Sequence, residues 1–174
     1  MQVPSIIDVE ASGFGAHSYP IEVGVVREDG GKFCQLVKPY ESWTHWEPEA
    51  QALHGLSREH LLKHGHDGRE VCLALNEFLQ GRTVYSDGWV VDHPWLIKLF
   101  SAAGVPMSFE IRALEYVLSE YQMDHWQSVK THVTATYKKA RHRASVDAHI
   151  IQQTYYQTRQ VALNRNLSAV YHGK

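Results

Sequence analysis

Five side chains in this sequence could between them hold cations and move protons. Asp8 and Glu10 stand two apart in Ile6-Ile7-Asp8-Val9-Glu10; Asp92 lies mid-chain before His93-Pro94-Trp95-Leu96; His142 and Asp147 stand five apart near the end. Side chains alternate across a strand, so a D-x-E pair on one projects both carboxylates from the same face, where they can grip a divalent cation. Without one they repel, by roughly 4 kcal/mol at about 4 Å and an effective dielectric near 20. A metal, a cationic partner or a raised pKa compensates that repulsion, and a strand end in water avoids it. The pair alone does not choose among these.

The other three have local explanations of their own. Asp92 ahead of Pro94 reads as a helix N-cap. Asp147 falls in a first turn for which Ser145 is the natural cap, where a carboxylate complements the helix dipole. His142 can share a cavity with Asp147 only from the loop before that helix, because five positions along a continuous helix diverge by well over a right angle.

The elements that must position these groups follow from periodicity and turn chemistry. Strands are expected over 3–9, 21–26 and 32–37, with Asp29-Gly30-Gly31 making the last two a hairpin. Short helices broken around Gly55 and Gly65 lead to a helix over 69–79, striped by Val71, Leu75, Phe78 and Leu79. A buried strand over 83–86 ends in Asp87-Gly88, a helix starts near Asp92 with Pro94 in its first turn, and a strand spans 109–112. Three helical segments follow, over 113–121, 124–139 and 145–164. Strands first, then strands alternating with helices, predict an α/β fold with a central mixed five-stranded sheet flanked by helices. Residues 1–166 form one domain in this reading, and 167–174 a loosely held tail.

Composition narrows the classes. With 174 residues, 44% of them apolar, the chain supports one substantial core. A net charge of −2 excludes a nucleic-acid-coating polycation, so any such contact is local. Cys34 and Cys72 lack metal-site spacing and suit a reducing, cytoplasmic setting, and no apolar run reaches membrane-spanning length. His60, His64 and His66 have no accompanying Cys or Glu pattern and read as surface histidines rather than a zinc site.

Taken together and in order, Asp8-x-Glu10, Asp92-x-x-Trp95-Leu96 and His142-x-Ala144-x-x-Asp147-Ala148 resemble the DEDDh family of 3′-to-5′ exonucleases, which includes proofreading exonucleases, oligoribonuclease and RNase T. Ile21-Glu22-Val23-Gly24 is similar to the family's second strand, and Leu53-His54-Gly55-Leu56-Ser57 to its H-G-[IL]-[ST] element near the substrate's terminal nucleotide. The chain departs from the pattern at Ala11-Ser12, where the family has Thr-Thr, and carries one extra residue before the third carboxylate. Asp92 is assigned there because Trp95-Leu96 follow it; Asp87 is left a supporting role.

The resemblance implies a ribonuclease H-like fold in which Asp8, Glu10, Asp92 and Asp147 hold two divalent cations, Mg²⁺ or Mn²⁺, which oxygen ligation favours over zinc. It implies His142 as general base, nucleoside 5′-monophosphates as products, and single-stranded nucleic acid or short oligonucleotide 3′ ends as partners; related exonucleases are often homodimers. Ser12, Gly13, Phe14, His54, Arg141 and Arg143 are the substrate-contact candidates. Phe14 stacks on the terminal base or joins the core. The run Lys138-Lys139-Ala140-Arg141-His142-Arg143 clamps substrate phosphates or is a solvated helix end. Trp43 and Trp46 form a stacking surface or a satellite core. Other classes remain open: a catalytically silent nucleic-acid-binding or protein-interaction module of this fold, and a phosphodiesterase of small nucleotides.

Overall fold

The structure, a computed structural model, describes residues 3–137 and 142–171, with side chains as far as Leu163. β1 (Ile6–Ala11), β2 (Pro20–Val26) and β3 (Lys32–Leu36) come first. α1 (Pro48–His54), α2 (Arg58–His64) and α3 (Gly68–Leu79) follow, then β4 (Thr83–Ser86), α4 (Trp89–Ala103) and β5 (Glu110–Ala113). A 3₁₀ turn over Leu114–Val117 leads into α5 (Glu120–Ala135) and α6 (Ala144–Tyr171). The sheet order is β3-β2-β1-β4-β5. β2 runs antiparallel to both of its neighbours, β1 and β3, whereas β1/β4 and β4/β5 pair in parallel. This is the mixed five-stranded, helix-flanked, ribonuclease H-like arrangement expected.

The alternation of β1 divides the molecule. Ile7 and Val9 enter a core with Val71, Leu75, Leu96 and Leu99 of α3 and α4, while Ile6 packs on the other face against Ala148, Ile151 and Tyr155 of α6. Asp8 and Glu10 share the parity of Ile6 and therefore project toward α6. Leu96 and Leu99 are fully buried and fix α4 against the sheet, each contributing about 1.5–3 kcal/mol.

Several elements differ from the sequence expectation. α4 opens at Trp89 with Gly88 in the N-cap position, so Asp92 lies one turn inside the helix and caps nothing. Pro94 is inside the helix too; the carbonyl it leaves unpaired is that of Val90, 76% exposed and open to water. The helix expected over 113–121 is a single 3₁₀ turn, because Ser119 and Gln122 form a capping box that restarts the chain as α5. α6 begins at Ala144, so Ser145 is not its cap, and it continues to Tyr171 rather than ending near Asn164. No helix among the described residues is long and apolar enough to cross a membrane.

Candidate active site

The C-terminal ends of β1 and β4 meet the starts of α4 and α6, and the five candidate residues gather there. Glycine makes the meeting possible. Gly24 lies opposite Asp8 in the antiparallel register, and a Cβ there would sit 2.2 Å from the Ala144 carbonyl carbon and the Ser145 nitrogen. The first turn of α6 thus rests directly on β2, bringing Asp147 over the β1 carboxylates. Gly24→Ala is expected to cost about 1–3 kcal/mol, since backbone atoms cannot step aside, and to displace His142 and Asp147 from the cluster. Denaturant unfolding checks this; an unchanged unfolding midpoint would contradict the close approach.

Glu22, paired with Glu10 across the strands and fully buried, anchors the same turn. Its Oε1 accepts from Arg143 Nη2 at 2.6 Å and Nε at 3.0 Å, and its Oε2 from the Ala144 backbone N–H at 2.8 Å. Arg143, a substrate-contact candidate, is therefore tied to a fully buried carboxylate while its own side chain stays 43% exposed. The sequence analysis marked the segment around Glu22 but missed this role; a lone acid in an otherwise apolar strand was the available signal.

His142 precedes α6 with φ of 59°, the left-handed region that histidine tolerates better than most residues. That turn lets its backbone N–H donate to Asp147 Oδ2 at 3.1 Å. Ligand atoms of Glu10, His142 and Asp147 all lie within 4.8 Å of one another, the only such grouping among the described residues. His60, His64 and His66 form none.

Asp92 reaches the cluster from α4. It is 4% exposed, and its Oδ2 accepts from Ser86 Oγ at 2.5 Å, while the Gly88 N–H donates to the same Ser86 oxygen at 2.9 Å. Asp87 points to α5 and pairs with Lys130. Both Asp92 and Asp87 lie within electrostatic reach of Asp8.

The cluster is electrostatically uncomfortable. Burial, then Asp92, Glu10, Asp147 and Asp87, pushes the Asp8 carboxyl well above its usual range. Burial, then Asp147, Glu22 and Asp92, lifts Glu10 to about 7 against the pull of Arg143. Asp92 is also raised to about 7, chiefly by burial and against the Ser86 hydrogen bond. Three mutually repelling carboxyls from two elements, with Asp147 from a third, form a donor set suited to hard divalent cations such as Mg²⁺ or Mn²⁺. In Asp8, Glu10 and Asp92 ionisation is disfavoured by folding, so the metal-free protein should gain stability as pH falls from 8 toward 6.5. Below that, His54 and His149, whose pKa values burial lowers, act in the opposite direction. A rise in metal-free Tm across this window, abolished by saturating Mg²⁺, is the expected result; a flat or falling Tm would contradict it.

Of the other substrate-contact candidates, Ser12, Gly13 and Phe14 follow β1 and His54 ends α1. Ser12 is buried: its N–H donates to the Tyr19 carbonyl, and its Oγ accepts from the Tyr19 N–H at 3.1 Å, closing the loop after β1. Glu47 braces the loop's other side, its backbone N–H donating to the Ser12 carbonyl and its Oε2 accepting from the Phe14 N–H at 3.1 Å. A Cβ on Gly13 would meet that carboxylate at 2.5 Å. Phe14 is 62% exposed, which excludes the core reading. His54 is buried; its Nδ1 accepts from the Leu56 N–H at 3.0 Å, and its buried Nε2 has no hydrogen-bond partner among the described residues. Trp43 stacks on Tyr19 at 5.1 Å and belongs to the satellite core. Trp46 packs there too, yet lines a cleft of about 720 Å³ with Gln51, Leu56, Ser57 and Arg143. Arg141, with Lys138, Lys139 and Ala140, lies outside the described residues.

No family model matches the chain, and no curated protein matches it. Among solved structures it is similar to E. coli exonuclease I in complex with a dA16 oligonucleotide, with a TM-score of 0.69 and 13% identity over 97% of this chain and 43% of that one. Exonuclease I from Methylocaldum szegediense aligns with a TM-score of 0.56 and 13% identity over 70% of this chain and 29% of that one. A product-bound exonuclease I gives 0.56 and 12% over 75% and 33%. The chain thus spans less than half the length of these exonuclease I chains, and at such identities the likeness is one of fold: the protein has the α/β fold that they share.

Proposed function

We propose that the protein is a metal-dependent 3′-to-5′ exonuclease that hydrolyses phosphodiester bonds of single-stranded DNA, RNA or short oligonucleotides and releases nucleoside 5′-monophosphates. One observation carries this reading: β1, α4 and α6 deliver four carboxylates and His142 to the C-terminal end of the central strand, although repulsion among the carboxylates opposes folding. A silent module of this fold would have no use for that cost. The fold likeness to exonuclease I structures holding single-stranded oligonucleotides supports the same reading.

Asp8, Glu10, Asp92 and Asp147 would hold the divalent cations, which when bound offset the carboxylate charge and polarise the scissile phosphate. His142 takes the proton of the attacking water at a ring nitrogen, its backbone held by Asp147. The Trp46 cleft, with Arg143 at its edge, takes the terminal nucleoside, and exposed Phe14 offers a stacking face on the loop after β1. Ser86 and the Val9 backbone N–H keep Asp92 oriented.

The test is a panel of ssDNA, dsDNA, ssRNA and dinucleotides, each labelled at either end, incubated with Mg²⁺, Mn²⁺ or chelator. Stepwise shortening from the 3′ end with monophosphate release, lost on chelation, is expected. Cleavage of dinucleotides alone would make the protein a small-nucleotide phosphodiesterase, and no metal-dependent cleavage would overturn the reading.

A further inference from the structure

The two edges of the sheet are finished differently. At the β3 edge His66 closes the strand's end: its N–H donates to the Leu36 carbonyl, and its own carbonyl accepts from the Lys38 N–H. β5 forms the other edge, and no backbone group among the described residues pairs with its outer side. The Glu110 N–H donates to the Arg82 carbonyl, toward β4, so the next N–H and C=O, those of Ile111, point away from the sheet. Trp89 Nε1 donates to that carbonyl at 3.3 Å, which leaves its second lone pair open. A groove of about 440 Å³ runs along this edge, lined by Trp89, Tyr116 and all four residues of β5. Tyr116 is 80% exposed.

We propose that β5 pairs with β5 of a second copy of this chain, antiparallel and centred on Ile111, so that two five-stranded sheets become one. The edge's own sequence selects this occupant and this register. About a two-fold axis at Ile111, the two Ile111 residues exchange both backbone hydrogen bonds, and Glu110 of each copy stands directly opposite Arg112 of the other, at the closely spaced positions that carry no backbone bond. Both side chains are exposed on one face of the strand, because Ile111 between them is buried on the opposite face. Within one copy they already pair, Arg112 Nε lying 2.8 Å from Glu110 Oε1, so the four charges alternate in sign around the axis. A slip by two residues sets Arg112 opposite Arg112, or Glu110 opposite Glu110, and like charges disfavour both. β3, with Lys32 its only charge, has no such pattern. Trp89 and Tyr116 flank the seam and lose water-exposed aromatic surface to it. Antiparallel pairing sends the two carboxylate clusters to opposite ends of the joined sheet, so the inference stands apart from the nuclease reading.

The experiment is sedimentation equilibrium on the full chain. A short edge pairing buries little area and makes a weak dimer, so concentrations should reach about 200 µM, where the wild type is expected to self-associate. E110R and R112E each turn two opposite-charge pairs into two like-charge pairs and should weaken association at least about 10-fold. Mixed in equal amounts, the two variants should associate again, because each then meets its complement. Both positions are exposed, so the variants should keep the wild-type circular dichroism spectrum. A wild type that stays monomeric over this range overturns the proposal whatever the variants do. A dimer indifferent to both reversals, or two monomeric variants that stay apart when mixed, overturns it as well.

Discussion

Asp8→Asn is expected to reduce metal-dependent cleavage below detection while raising the Tm of the metal-free protein. Both effects have one cause. Asp8 sits at the centre of the repulsion, pushed up first by burial and then by Asp92, Glu10, Asp147 and Asp87. An amide of the same shape removes the charge and relieves its neighbours, so the apo fold gains stability where the wild type spends it on function. The amide also offers a cation one weak oxygen in place of a carboxylate, so calorimetry should show Mn²⁺ affinity falling by at least about 10-fold. Wild-type affinity in the variant would remove Asp8 from the ligand set. A lower metal-free Tm would contradict the electrostatic account of the cluster.

His142→Ala is expected to lower kcat by roughly 10²–10⁴-fold, the range for loss of a positioned general base. The histidine lies beside Glu10 and Asp147, within ligand distance of both, so geometry allows it either to receive a proton or to ligate a cation. Calorimetry separates these roles. Unchanged Mn²⁺ affinity with the predicted loss of turnover identifies a base; a parallel loss of affinity identifies a ligand. Unchanged turnover assigns His142 neither role. Its backbone N–H donates to Asp147 Oδ2 whatever the side chain, which holds the start of α6, while alanine at a φ of 59° should cost about 1 kcal/mol of stability.

The legible parts of this molecule were those governed by local pattern. The β2/β3 hairpin follows from Asp29-Gly30-Gly31 between apolar runs, and α3 from its stripe of Val71, Leu75 and Leu79. The direction of Asp8 and Glu10 follows from strand alternation once Ile7 and Val9 are given to the core. Boundaries decided by competing caps were less legible. Asp92 before Pro94 has the composition of a helix start, but Ser86 closes the preceding turn through the Gly88 N–H and the helix begins three residues earlier. Ser145 likewise looks like a cap, and Glu22, more than a hundred residues upstream, binds the Ala144 N–H instead.

By itself the sequence determined which residue types exist to do chemistry, their order along the chain, and the sheet and helices that carry them, because periodicity and turn residues act over a few positions. Only the tertiary structure decided that Asp92 turns into the cluster while Asp87 turns away to Lys130, and that Gly24 lets α6 lie on the sheet. Those outcomes depend on contacts between segments far apart in the chain, and repulsion among carboxylates is invisible until folding brings them within reach of one another.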